Sequence, residues 1–93
     1  SEIANMNAAT AALSRNDLVS AARYLERVKS EEFLPEYNNA MGVLLLMKEE
    51  YELSEKHLKI AKEAGLDAAG GNLEELAKKK ANAIEIEKKN KNK

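Results

Sequence analysis

The apolar residues of this 93-residue chain recur at spacings of three and four, which predicts helices rather than strands. Glycine, proline and short polar runs divide the pattern into segments. The segments predict five helices, at residues 2–14, 17–29, 35–48, 51–64 and 72–89. The longer loops are expected at residues 30–34 and 66–71. The pattern therefore predicts an all-α protein.

Local signals support several of these helix ends. Asn16 or Asp17 is expected to cap the second helix, because a side-chain oxygen there can accept a hydrogen bond from a free amide. Pro35 suits the first turn of the third helix, where its missing N–H costs nothing. Gly65 is expected to end the fourth helix by adopting a positive φ.

The start of the last helix is predicted from its composition. Gly70 and Gly71 are expected to loosen the preceding loop. Asn72 then begins the helix, with Glu75 three residues later in the position of a capping box.

The first two predicted helices match the third and fourth at an offset of 33 residues. The matched pairs join small with small, large apolar with large apolar, and base with base: Ala9 with Gly42, Leu13 with Leu46, Arg15 with Lys48, Leu18 with Tyr51, Ala21 with Ser54, Leu25 with Leu58, and Val28 with Ala61. A helix–turn–helix period of about 33–34 residues is typical of an α-solenoid. The chain is thus expected to form two helical hairpins and a closing helix.

The second hairpin carries its packing residues in an order used by one known repeat family. These residues are Asn38, Met41, Gly42 and Leu45 in its first helix, Tyr51, Ser54, Leu58 and Ala61 in its second, and Leu66 where a closing proline is usual. In this set and its period the chain resembles the tetratricopeptide repeat family. The resemblance implies an α-α superhelix.

The resemblance implies that residues 1–93 form a single domain built from two repeats and a last helix. Repeat one covers residues 2–34 and repeat two covers residues 35–67. The helix at 72–89 then serves as a solvating cap, and residues 90–93 form a frayed basic tail. Lys80, at a core-like position of this last helix, favours a cap over a full third repeat.

The resemblance also implies a concave groove lined by the first helix of each hairpin. The groove residues would be Met6, Thr10, Leu13, Glu36, Asn39, Val43, Leu46 and Met47. This mixed surface with an apolar centre suits an extended segment or a helix, so we expect a protein–protein interaction or scaffold module. In the alternative, the closing helix fills the groove and the domain is a structural spacer or self-association domain.

Some members of that family hold a C-terminal carboxylate through Lys, Asn and Arg in the groove. The matching positions here are Met6, Thr10 and Asn39, and none of them is basic. We therefore expect no carboxylate clamp of that kind.

The sequence offers little reactive chemistry. It contains no cysteine, which excludes disulfides and thiolate metal sites. His57 is the only histidine, and one imidazole does not make a metal site. No nucleophile–base pair or phosphate-binding loop is recognisable. We expect neither an enzyme nor a bound cofactor or metal.

Charge is unevenly distributed along the chain. Residues 1–77 carry 8 basic and 14 acidic groups, whereas residues 78–93 carry 7 basic and 2 acidic groups. A lysine cluster can bind phosphates, but here no aromatic residues are interleaved for base stacking. We expect a protein or peptide partner rather than nucleic acid, and weak homo-oligomerisation is left open.

The longest apolar run, at residues 43–47, is too short to span a bilayer. The N-terminus lacks the basic region and apolar core of a signal peptide. Because the chain starts at Ser1 without Met, we expect a mature protein or a domain of a longer one. A soluble protein of the cytoplasm or the periplasm fits equally well.

Overall fold

The computed structural model describes residues 1–92, and it contains α-helices and one short 3₁₀ turn. The elements are α1 (Glu2–Ser14), α2 (Leu18–Glu26), the 3₁₀ turn (Glu31–Phe33), α3 (Leu34–Met47), α4 (Tyr51–Glu63) and α5 (Asp67–Lys91). The predicted all-α class with five helices is confirmed. The superhelical arrangement implied by the resemblance stays a prediction.

Each helix packs mainly against its neighbours in the chain. Helices α1 and α2 form one hairpin, and α3 and α4 form the next. Helix α3 also contacts α1 and α2, whereas α5 packs mainly on α4 and less extensively on α3. The molecule is accordingly elongated, with extents of 52 × 27 × 16 Å.

The 33-residue offset is also visible in the burial of the side chains. Five matched pairs are buried at both positions, namely Ala9 with Gly42, Leu13 with Leu46, Ala21 with Ser54, Leu25 with Leu58, and Val28 with Ala61. Arg15 and Lys48 are both exposed, and Leu18 and Tyr51 are both half-buried. The two hairpins therefore use equivalent positions for equivalent packing.

The turns inside the two hairpins also match. Asn16 has φ 60° and Glu49, 33 residues later, has φ 63°. In both turns the following amide donates to the carbonyl five residues earlier, at 2.9 Å. This left-handed residue with its backbone hydrogen bond is the Schellman way of ending a helix, and it satisfies carbonyls that the helix leaves unpaired.

The buried side chains form two clusters. The first lies between α1, α2 and α3 and contains Met6, Ala9, Ala12, Leu13, Ala21, Leu25, Val28, Ala40 and Leu44. The second joins α3, α4 and α5 through Leu46, Leu58 and Leu76, with Tyr51 and Leu73 packed against it. The second cluster is small, so each of its leucines carries a large share of the packing between α5 and the hairpins.

Helices α3 and α4 approach most closely at Gly42. The Ser54 Oγ donates a hydrogen bond to the Gly42 carbonyl oxygen at 2.6 Å. A Cβ atom placed on Gly42 would collide with the side chain of Leu58, which is fully buried. The glycine is required here by close approach of the two helices.

The predicted start of the last helix is wrong. Helix α5 begins at Asp67 rather than residue 72, so Gly70 and Gly71 lie inside a helix and Asn72 with Glu75 forms no capping box. Glycine in a helix costs about 1 kcal/mol relative to alanine. Burial of Ala69 and Leu76 along the same helix opposes that cost. Gly65, at φ 96°, completes the turn, so the expected loop at 66–71 is not needed.

The second helix is shorter than predicted. Helix α2 ends at Glu26 rather than residue 29. A Glu2 carboxylate oxygen accepts hydrogen bonds from the amides of Lys29 and Ser30, both at 2.8 Å, and those amides therefore do not continue the helix. The expected loop at 30–34 contains the 3₁₀ turn, and α3 begins one residue before Pro35.

Asp17 caps α2, as one of the two predicted candidates. Its carboxylate accepts a hydrogen bond from the Ser20 amide at 3.1 Å. Hydrogen bonds from Ser20 hold the pKa of Asp17 below its usual value. The short turn between α1 and α2 therefore contains both the backbone cap that ends α1 and the Asp17 side-chain cap that begins α2.

The C-terminal part of α5 extends past the hairpins. Ala83 is half-buried, and every residue from Ile84 to Asn92 is exposed. Within the expected frayed tail at 90–93, residues 90 and 91 are helical and Asn92 is the C-cap, whereas Lys93 lies outside the described residues.

Candidate binding cleft between helices α1, α3 and α5

A cleft of about 300 Å³ opens between α1, α3 and the start of α5. Its lining is Met6, Thr10, Leu13, Glu36, Asn39, Ala40, Val43, Leu66 and Ala68. Six of the eight predicted groove residues are in this set. Most of the lining is apolar, which suits the burial of side chains from a partner.

Helical periodicity brings these residues together. Met6, Thr10 and Leu13 are spaced by four and three, so they share one face of α1. On α3, Glu36, Asn39 and Val43 follow the same kind of spacing. Helix α5 contributes only its beginning, through Leu66 before its first turn and Ala68 within it. The helix therefore borders the cleft without covering it.

Leu46 and Met47 do not line this cleft. Leu46 is buried with Leu58 and Leu76 in the second core cluster. Leu46 and Met47 instead border a separate pocket of about 230 Å³, beside Lys79 and Ala83 of α5. The C-terminal end of the predicted groove is thus occupied by α5, and the N-terminal end is open.

Sequence reasoning missed Ala40, Leu66 and Ala68 as lining residues. Ala40 follows the predicted Asn39 directly and also belongs to the first core cluster. Leu66 and Ala68 were assigned to a loose loop, and only the early start of α5 brings them to the wall. The turn at Gly65 was predicted correctly, and the error lay in placing a loop rather than the start of α5 directly after it.

An amide pair joins the lining residue Asn39 to α5. Asn72 Nδ2 on α5 donates to Asn39 Oδ1 on α3 at 2.9 Å. The two residues are again 33 positions apart. Asn39, predicted as a groove residue, is thus half-buried, and its amide oxygen is used to join two helices.

Glu36 is the only charged side chain among the lining residues. It is exposed and lies in the first turn of α3. No Lys or Arg belongs to the lining, so this cleft has no cation to hold a partner's C-terminal carboxylate. The one formal charge in the lining is therefore negative.

The single histidine lies outside the cleft, between α3 and α4. Asn38 is buried, and its Nδ2 donates to the Leu34 carbonyl oxygen at 2.8 Å. Asn38 Oδ1 therefore faces His57 Nδ1, 2.9 Å away, and accepts a hydrogen bond from it. His57 thus satisfies a buried amide and takes part in packing.

Burial lowers the pKa of His57 below 6.5, with a smaller contribution from the charge of Lys56. The unfolded chain therefore binds the proton more readily than the folded one. We expect the free energy of unfolding to be unaffected by this group above pH 6.5 and to fall as the pH drops from 6.5 through the folded-state pKa. Urea denaturation between about pH 7 and pH 5 measures this fall in the free energy of unfolding.

Replacement of His57 by Gln is the control for this pH dependence. Gln keeps an amide donor but does not titrate, so the slope between about pH 7 and pH 5 should become shallower. An identical slope in both proteins would show that His57 is hydrated in the folded state.

Other polar contacts are ordinary surface contacts. Lys80 Nζ lies 2.8 Å from Glu52 Oε2, which raises the pKa of Lys80 and joins α5 to α4.

Among residues 1–92, no group of three or more His, Asp or Glu is placed to hold a metal ion. Over the same residues, no helix combines the length and apolarity needed to cross a membrane.

Comparison with known proteins gives no relative for this chain. No protein-family model, no curated protein and no solved structure matches it.

Proposed function

We propose that this domain is a protein–protein interaction module that binds an extended or helical peptide segment in the cleft between α1, α3 and α5. The observation that carries the proposal is the convergence of six residues, predicted from the repeat, on one open apolar cleft. A cleft lined by apolar side chains with a few polar groups is the usual form of a peptide-binding site.

The tetratricopeptide resemblance supports this proposal. We propose that the two hairpins are tetratricopeptide-like repeats and that α5 takes the place of the first helix of a third. Contacts of α3 with both helices of the first hairpin, and of α5 with both helices of the second, fit that assignment. In such an arrangement the cleft faces the concave side, where the family binds its partners.

Self-association is the second candidate function. Ile84 and Ile86, on the free part of α5, are 48% and 56% exposed. Apolar side chains on a projecting helix can pair with a second copy. Sedimentation separates the two candidates, because self-association gives a mass above 10.3 kDa that rises with concentration.

Selection from a display library of short random peptides, followed by binding measurements on two variants, tests the proposed function. Thr10→Gln places a longer uncharged side chain in the cleft. Because the Gln side chain obstructs apolar contact with the peptide, we expect the variant to bind the selected peptides about tenfold more weakly. Anisotropy of a labelled peptide measures the affinity.

Ser14→Gln is the matched control. Ser14 is exposed, lies one turn further along the same helix and does not line the cleft. Its replacement should leave the affinity unchanged. A library that yields no binders, or binders that tolerate Thr10→Gln, would refute the proposed function.

A further inference from the structure

All charged residues in the segments that build the cleft have the same sign. Helix α1, helix α3 and α5 as far as Ala77 contain no Lys and no Arg. Their charged residues are Glu2, Glu36, Asp67, Glu74 and Glu75. In a chain whose net charge is only −1, the segments that build the cleft therefore carry five acidic groups and no basic one.

Among residues 1–92, four of these carboxylates have no basic side chain as an ion-pair partner. The side-chain ion pairs found among residues 1–92 use Glu50, Glu52, Glu55 and Glu87. Glu2 accepts hydrogen bonds from two backbone amides. Glu36, Asp67, Glu74 and Glu75 are exposed, so their charge is available to a ligand.

Helix dipoles do not cancel this acidity. The N-terminal turn of α3 carries Glu36, and that of α5 carries Asp67. A helix N-terminus contributes about half of a positive charge, whereas each carboxylate contributes a full negative charge. The N-terminal rim of the cleft therefore remains negative.

We infer that the partner bound in this cleft is a cationic amphipathic segment of another protein, in which apolar side chains enter the cleft and flanking Lys or Arg residues lie near Glu36 and Asp67. The inference rests on the proposed function and specifies the chemistry of its ligand. An acidic segment would instead meet like charges, which are costly when an interface excludes water.

Three synthetic peptides of about 14 residues test the charge preference. All three carry leucine at the same helical positions. The remaining positions are Lys in the first peptide, Gln in the second and Glu in the third. At an ionic strength of about 0.15 M we expect the Lys peptide to bind about tenfold more tightly than the Gln peptide, and the Glu peptide to bind more weakly than both.

Glu36→Lys tests whether the preference belongs to the cleft. It reverses the one charge in the lining at an exposed position, so the fold should be retained. We expect this variant to lower the affinity for the Lys peptide about three- to fivefold and to raise the affinity for the Glu peptide. Glu26→Lys, on an exposed site of α2 that does not line the cleft, makes the same change in net charge and should have little effect.

The outcomes separate this inference from the proposed function. Equal binding of the Lys and Gln peptides, or equal effects of the two Glu→Lys variants, overturns the cationic partner. In either case binders from the random library that remain sensitive to Thr10→Gln still support a peptide site. Concentration-dependent sedimentation that is lost both on Ile84→Asp and on Thr10→Gln would instead identify the α5 helix of a second copy as the occupant of the cleft and overturn the inference.

Discussion

Replacing Gly42 with alanine should destabilise the fold by about 2 kcal/mol, although alanine is the better helix former. The added Cβ would collide with the side chain of Leu58, which is fully buried. Relief by moving α3 away from α4 would lengthen the bond between Ser54 Oγ and the Gly42 carbonyl. Urea denaturation of the purified variant measures the loss.

The same substitution at Gly70 is the control, and it should have the opposite sign. A Cβ on Gly70 meets nothing within 4 Å, and the residue lies inside α5. Alanine there should stabilise by about 0.5–1 kcal/mol, since glycine loses more backbone entropy on entering a helix. If Gly70→Ala destabilised the protein, residues 66–71 would form a loop, as the sequence first indicated.

The second large effect is expected at Leu76, the main anchor of α5. Leu76 is 1% exposed and packs with Leu46 and Leu58. Leu76→Ala should cost about 3 kcal/mol, because it removes buried methyl groups and leaves a cavity. For a domain of this size, with a stability of roughly 5–14 kcal/mol, this is a large fraction of the total.

Ile84→Ala on the same helix is the comparison for Leu76. Ile84 is 48% exposed and lies where α5 leaves the hairpins. Its replacement should change the free energy of unfolding by less than about 0.5 kcal/mol. Similar losses at Leu76 and Ile84 would mean that the packed part of α5 extends further than the structure shows.

The parts of the fold predicted correctly are those fixed by packing within one hairpin. Ala21 and Leu25 could be matched with Ser54 and Leu58 because a helical period and a repeat both constrain them. Equivalent burial follows from equivalent spacing. The positive φ of Glu49 was not predicted, since glutamate gives no local signal for it, although its repeat position matches Asn16.

The start of α5 was mispredicted because local and tertiary preferences disagree there. Gly70 and Gly71 are poor helix formers, and a local reading places a loop around them. Burial of Ala69 against the second hairpin favours the helix, and that energy is not visible in the local sequence. The missed lining residues Leu66 and Ala68 follow from the same error.

The candidate site was predictable as far as it depends on α1 and α3. Met6, Thr10 and Val43 share faces set by helical spacing, so their convergence could be expected. Leu46 and Met47 were misplaced because their environment depends on where α5 crosses α3. That crossing is set by the Leu46, Leu58 and Leu76 contact, which joins residues far apart in the chain.

A methyl-labelled NMR titration with the Lys peptide tests most directly whether the cleft binds a partner. The largest chemical-shift changes should occur at the methyl groups of Met6, Leu13 and Val43, which line the cleft. Leu53, which is 49% exposed on α4 and lies outside the cleft, should not move. Unchanged cleft methyls at saturating peptide, or shifts centred on Leu53, would contradict a binding site between α1, α3 and α5.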